Sequence, residues 1–257
     1  MEWRAETSRG LVRPENEDSW SVTCLSRNKS EIWLAMVADG IGGHEGGEIA
    51  SSLAVKSISE FISNAFLEDK PGHVLREAII YANGKILESS MNKDGIPGMG
   101  TTLTCAMIVQ NGSKVYLGHI GDSRAYIVSN RQIRKITDDH SVSGELVRNG
   151  TITEEDAMRH PGRNILTAAL GTQETVDVAI YTESLFPGDV VILCTDGLTG
   201  LVSSSEISEV ATGCDRDEAA RRLVDLANSR GGYDNVTVVL LWPGAKQARK
   251  ALRGEVG

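Results

Sequence analysis

"DSWSVTCLSRNKSEIWLAMVADGIGGHEGG", residues Asp18 to Gly47, contains two strand-like runs, a short polar loop between them and a glycine-rich loop after them. The runs Asp18–Ser26 and Glu31–Ala38 are joined only by the loop from Arg27 to Ser30. A link that short predicts an antiparallel pair. The second run ends on Asp39, glycines follow, and a helical pattern then begins. Glycine-rich loops after strands can cradle phosphate, but those loops end in a Lys-Ser or Lys-Thr pair or open a dinucleotide fold. Neither fits, since no lysine follows before Lys56 and the loop carries acids, which repel phosphate unless a cation sits between them.

The same pattern extends along the chain. Further strand-like runs cover Glu2–Arg9, Thr101–Val109, Lys114–Gly121, Arg124–Ser129, Gln132–Thr137, Val176–Thr182, Asp189–Thr195 and Asn235–Trp242. Hairpin signals join several of them, Asn111-Gly112 in one place and Asn130 in another. Helical periodicity covers roughly Glu45–Leu67, Val74–Met91, Ser205–Thr212 and Asp215–Ser229. Strands therefore come in consecutive pairs and helices in pairs between groups of strands, unlike the regular alternation of a parallel α/β fold. The expectation is an α+β fold, two antiparallel β-sheets with helix pairs on the outside. The polar segment Asp138–Thr175 interrupts the strands and reads as a surface flap with one or two short helices.

Composition narrows the class. The chain has 257 residues, 40% apolar and 24% charged, with a formal net charge of −9. That is ordinary for a globular protein, and the negative balance argues against nucleic acid or anionic membrane as partners. No apolar run reaches the ~18 residues of a membrane helix, and the charged start "MEWRAETSRG" lacks the apolar core of a signal peptide. Cys24, Cys105, Cys194 and Cys214 form no CxxC pair. The first three lie in strand-like runs as small apolar residues, and the thiols read as structural in a reducing, cytoplasmic compartment.

The acids at strand ends carry the chemistry. In an antiparallel pair the start of one strand lies beside the end of the next, so Asp18 and Asp39 meet at one sheet edge with Glu17 next door. Asp196 ends a strand in "VVILCTDG", Asp234 begins one in "GGYDNVTVVLLW", and Asp122 ends one in "VYLGHIGDSR". Aspartate beside glycine is also ordinary turn chemistry, and spacing alone does not bring the three groups together. Gathered, these carboxylates would repel one another without a cation. All-oxygen ligation suits a hard ion, Mg²⁺ or Mn²⁺. Two such ions ~3.5–4 Å apart, bridged by a carboxylate and a water, would acidify that water for in-line attack on phosphorus. The glycines would let the backbone come close, with the Gly40 carbonyl a candidate ligand. Arg13, four residues before Glu17, carries a guanidinium that can fork onto phosphate oxygens or can simply be a surface arginine.

"RPENED", "VADGIGGHEGG", "GMGTTLTCAMI", "HIGDSRAY", "LCTDGLTGLV" and "GGYDNVTVVLL" occur in this order, and together they resemble the metal-dependent protein serine/threonine phosphatases, type 2C or PPM, over roughly Arg4 to Trp242. The flap sequence "HPGRNILTAALG" resembles the stand-alone bacterial branch, whose members reverse eukaryotic-like serine/threonine kinases. The resemblance implies a four-layer αββα sandwich in a single catalytic domain over residues 1–243, followed by a short basic tail, 244–257, that is a frayed helix end or a docking element. It implies a monomer acting on phosphorylated proteins through two Mn²⁺ or Mg²⁺ ions and a weaker third. Asp39 would bridge the pair, with the Gly40 carbonyl, Asp18, Asp196 and Asp234 as ligands, direct or through water. Glu17 would act through ordered water, Asp122 with Asp196 would hold the third ion, and Arg13 would bind the substrate phosphate. The implied reaction is direct attack by metal-activated water, with no phosphoenzyme.

One position departs from the pattern. Some members, chiefly eukaryotic, carry a histidine directly after the Asp-Gly, proposed to protonate the leaving group, and here that position is Ile41. His44, His160 or a metal-bound water could serve instead, while His119 and His140 read as structural. A proton donor is needed, a step worth ~10²–10⁴-fold. A cysteine-dependent phosphatase is set aside because no cysteine precedes an arginine at the required spacing. Two alternatives stay open, a metal-free binding relative and a hydrolase of small phosphorylated molecules.

Overall fold

The computed structural model describes residues 1–27, 30–41, 45–65, 70–92, 96–109 and 113–244. The expected turn at Asn111-Gly112, His44 and residues 245–257 of the basic tail lie outside the described residues. Strand β1 (Glu2–Ser8) is followed by the hairpin β2 (Asp18–Arg27) and β3 (Ser30–Ile41), then by the helix pair α1 (Glu45–Asn64) and α2 (Pro71–Met91). A second group of strands comprises β4 (Gly100–Thr101), β5 (Leu103–Val109), β6 (Lys114–Ile120), β7 (Arg124–Ser129) and β8 (Gln132–Lys135). The flap carries α3 (Val142–Arg148) and α4 (Glu154–Ala157), two short helices as expected. The chain then runs through β9 (Ala179–Ser184), β10 (Val190–Cys194), α5 (Asp196–Thr199), α6 (Ser204–Gly213), α7 (Arg216–Ser229) and β11 (Val236–Trp242).

Every ladder is antiparallel. One sheet has the order β1-β11-β10-β7-β8, the other β2-β3-β5-β6-β9 with β4 paired to β3. Three apolar cores separate the layers, and successive residues of β3 face two of them. Leu34, Met36 and Ala38 meet Ile58 of α1 and Ile79 of α2. The alternate residues Ala35 and Val37 meet Val191 and Leu193 of β10 between the sheets. On the far side Ile192 and Leu240 pack against Ile207 of α6 and Leu223 of α7. Helices, sheet, sheet, helices: this is the expected αββα sandwich. It explains why "VVILC" and "VTVVLLW" are buried throughout rather than alternating, since both faces of each inner strand are covered.

Two local readings change, and the expected hairpin at Asn130 is found. The run Thr101–Val109 is broken at Thr102, whose N–H donates to the Asp39 carbonyl at 2.8 Å. Cys24 is exposed rather than packed as a small apolar residue, while Cys105 and Cys194 are buried. The β7–β8 turn is a two-residue hairpin with φ of 51° at Asn130 and 64° at Arg131, the pairing that suits the right-handed twist. Among the described residues no helix is long and apolar enough to cross a membrane.

Candidate metal centre

The ends of both sheets meet at one edge of the sandwich, and the acids meet there. Asp18 and Asp39 are direct partners in the β2–β3 register. Asp196 opens α5 at the end of β10, and Asp234 precedes β11, the strand beside it. Asp122 lies in the link where the chain leaves β6 of one sheet for β7 of the other. Asp39, Gly40, Asp122, Asp196 and Asp234 line one cleft together with Arg13 and Glu17. Asp18 lies just behind it.

Backbone and hydroxyl donors hold the carboxylates in place. Asp18 Oδ2 accepts from Thr195 Oγ1 at 2.9 Å and from Thr237 Oγ1 at 2.6 Å. The Asp39 N–H donates to Thr102 Oγ1 at 3.0 Å, and its carbonyl accepts from Thr101 Oγ1 at 2.9 Å. Asn235 Nδ2 donates to the carbonyls of Arg9 and Glu15, at 3.0 and 2.8 Å, and its Oδ1 accepts from the Glu17 N–H at 2.8 Å. That side chain ties the loop carrying Arg13 and Glu17 to the Asp234 turn. Arg13 Nη2 donates to Asp234 Oδ2 at 2.8 Å, which leaves most of its five donors available.

The glycines answer to close approach. A Cβ on Gly40 would collide with the carbonyl of Gly47 and one on Gly197 with the carbonyl of Asn235. Both Asp-Gly pairs therefore let another backbone segment pass against the carboxylate-bearing turn.

Electrostatics mark the cleft as a cation site. Burial, only partly offset by the two threonine hydroxyls, pushes the Asp18 carboxyl up to about 7, with the charges of Asp196 and Asp234 adding to the shift. Asp39 is raised well above the usual carboxylate range by burial and then by Asp18, Asp196, Asp122 and Asp234. Asp122 and Asp196 move the same way, burial first, then Asp196 acting on Asp122 and Asp234 on Asp196. Oδ1 of Asp18 and Oδ1 of Asp196 are buried without a hydrogen-bond partner. Bare buried carboxylate oxygens are costly, and a divalent cation satisfies them. Among the described residues no three His, Cys, Asp or Glu side chains already form a cage for one ion. Hard cations keep several waters and take one or two carboxylates each. The residues present fit a two-ion Mn²⁺ or Mg²⁺ centre.

His160 is not brought to the cleft; its Nδ1 accepts from the Gly162 N–H at 3.0 Å and closes a turn in the flap. His119 is buried against Thr104 and stacks on His140 with ring centroids 4.8 Å apart. Sequence reasoning missed Asn235, the clamping threonines and Asn164 of the flap, which lines the cleft. The position of Asn235 directly after Asp234 was the available signal.

Comparison with known proteins agrees with this geometry. The protein phosphatase 2C family profile matches residues 13–231. The serine/threonine phosphatase stp of Listeria monocytogenes is 38% identical over 239 residues, covering 91% of this chain and 93% of that protein. The crystal structure of the Mycobacterium tuberculosis serine/threonine phosphatase PstP/Ppp superposes with a TM-score of 0.83 at 35% identity, covering 93% of this chain and 97% of that one. A second structure, the PstP catalytic domain in complex with two manganese ions, gives a TM-score of 0.80 at 34% identity over 93% and 96% of the two chains. The chain belongs to the protein phosphatase 2C family, the metal-dependent serine/threonine phosphatases.

Proposed function

We propose that this edge of the sandwich hydrolyses phosphoserine and phosphothreonine in proteins, the products of a serine/threonine kinase. The observation that carries the reading is the convergence of Asp18, Asp39, Asp122, Asp196 and Asp234, two of them with bare buried oxygens, in and behind a cleft that also presents Arg13. Asp39, the Gly40 carbonyl, Asp18, Asp196 and Asp234 would hold the ion pair, directly or through water, and Asp122 with Asp196 would hold a third. Bound there, the ions supply Lewis acidity and lower the pKa of water at the phosphorus.

The chain's own residues do the rest. Arg13 forks onto the phosphate oxygens and sets the orientation for in-line displacement. Its bond to Asp234 places the phosphate beside the ligand set. Glu17, packed against Gly47 with its backbone fixed by Asn235, orders water at the rim. Among the described residues no histidine lines the cleft; the leaving alkoxide takes its proton from His44, which lies outside the described residues, or from water at the cleft. The reading needs no residue from a second subunit and takes the protein as a monomer, and four free thiols support the reducing cytoplasm as its compartment.

The test is phosphate release from a phosphothreonine peptide and from free phosphoserine, with Mn²⁺ and with EDTA. Metal-dependent release that favours the peptide is expected. Equal or better turnover of free phosphoserine would move the reading to small phosphorylated molecules, and no turnover with any divalent ion would leave a binding relative.

A further inference from the structure

Beside the carboxylate cleft, under the flap, runs a second groove of about 180 Å³. Asp122, Asn164, Asp196 and Asp234 line both, so the groove opens directly off the site where the phosphate is attacked. Its own wall includes Val147, Arg148, Met158, Arg163, Leu201 and Tyr233. A phosphate group held at the carboxylate cleft leaves this space free.

The charges in the groove are unevenly paired. Asp139 is held by Arg124 at 2.6 Å and by Lys135 at 3.8 Å, and Glu154 by Lys135 at 2.5 Å. The Asp138 N–H donates to the Tyr181 hydroxyl at 3.3 Å, and the Asp234 carboxyl pairs with Arg13. Arg148 and Arg163 have no carboxylate partner among the described ion pairs; Arg163 donates only to the Met158 carbonyl, at 3.4 Å. Both are exposed. Arg163 is the neighbour of Asn164, which faces the cleft itself. Six acids and four cations line the groove, and these two guanidinium groups are its positive points without a carboxylate partner among the described residues.

We propose that this groove binds the polypeptide flanking the phosphorylated residue, and that Arg148 and Arg163 select flanks carrying an anionic side chain. The proposal rests on the phosphoprotein reading above and deepens it. An extended peptide advances about 3.3–3.6 Å per residue, so the groove is filled by the first few residues on one side of the target. A carboxylate or a second phosphate there meets guanidinium forks suited to either. The exposed faces of Met158 and Tyr233 cover the apolar parts of the same segment.

The experiment uses the full chain with Mn²⁺ and three peptides sharing one phosphothreonine, with flanks that are neutral, glutamate-bearing, or carrying a second phosphothreonine. Para-nitrophenyl phosphate, which has no flank, is the fourth substrate. Wild type is expected to show a lower KM for the anionic flanks, and Arg163→Glu and Arg148→Glu to raise that KM roughly five- to tenfold with kcat unchanged. The neutral peptide and the aryl phosphate should stay within about twofold, which also shows that the variants fold, and the preference should shrink with added salt. A gain for the doubly phosphorylated peptide alone identifies the anion as phosphate; a gain for both identifies charge as sufficient. Turnover of all substrates without flank preference, or variants that change every peptide alike, would overturn the inference and leave the phosphatase reading intact. A wild type inactive on all four substrates would overturn that reading and this inference with it.

Discussion

Asp18 is held by two threonine hydroxyls on one oxygen: Thr195 and Thr237 both donate to Oδ2, and Oδ1 is buried without a partner. Donors behind a ligand fix its orientation, and their loss typically costs 10–100-fold in metal affinity or activity. Thr237→Val should therefore weaken Mn²⁺ binding by roughly that factor while the sheet stays folded, because valine suits a buried strand. Calorimetric Mn²⁺ titration of the variant checks this, and an unchanged affinity would mean that the hydroxyl does not position Asp18. No sequence pattern pointed to this threonine, since one Thr in "NVTVVLLW" reads as β-propensity alone. The carboxylates were legible because aspartate beside glycine at several strand ends is unusual together. Their partners were not, because each hydroxyl reaches its carboxylate from a distant part of the chain.

At the scale of elements, the flap is tied down at both ends, and midway Glu154 of α4 pairs with Lys135 of β8. Its entry is fixed by Arg124 on buried Asp139 and by the His140 N–H on the Gly121 carbonyl at 2.7 Å. Its exit is fixed by Asn83 of α2, whose Oδ1 accepts from the Gly171 N–H at 2.8 Å and whose Nδ2 donates to the Gln173 carbonyl at 2.9 Å. Leu170 next to it pairs with Thr101, the residue whose hydroxyl clamps Asp39. Asn83→Ala strands those backbone groups and should cost about 1–3 kcal/mol, read as a lower denaturation midpoint. It should also raise KM for peptides more than for an aryl phosphate, because most of the flap's lining residues face the groove and only Asn164 and Leu166 reach the phosphate cleft. Equal effects on both substrates would contradict that division. The long, strongly periodic helices α1, α2 and α7 and the inner strands were readable from pattern. The four-residue α5 and the break at Thr102 were not, because each is imposed by contacts with a neighbouring strand rather than by local propensity.

For the whole molecule, two sheets converge on one crowded acidic edge, and the fold carries that cost without cations. Asp18 is pushed up to about 7, by burial first and then by Asp196 and Asp234, against the stabilising bonds from Thr237 and Thr195. Its folded value lies above its unfolded one, so its contribution to stability is full when it is protonated and is lost as pH rises from about 4 through about 7. Asp39, Asp122 and Asp196 shift in the same direction. Stripped of metal, the protein should accordingly show a Tm that falls between mildly acidic and mildly alkaline buffer, with Mn²⁺ raising Tm most at the alkaline end, where the carboxylates bind without losing protons. A metal-free Tm that climbs across the same range would contradict it. The layer order was predictable from paired strands and paired helices. That three groups of acids meet was not, since it depends on how the two sheets stack.

The most direct measurement is a calorimetric titration of Mn²⁺ into metal-free wild type and Asp39→Asn, with phosphate release from a phosphothreonine peptide followed on the same samples. Two or more ions bound to wild type, loss of the pair in the variant and a parallel loss of turnover, on the order of 10²–10³-fold or greater, are the predicted result. Undiminished Mn²⁺ binding and turnover in Asp39→Asn would contradict the assignment of this carboxylate edge as the centre of the enzyme.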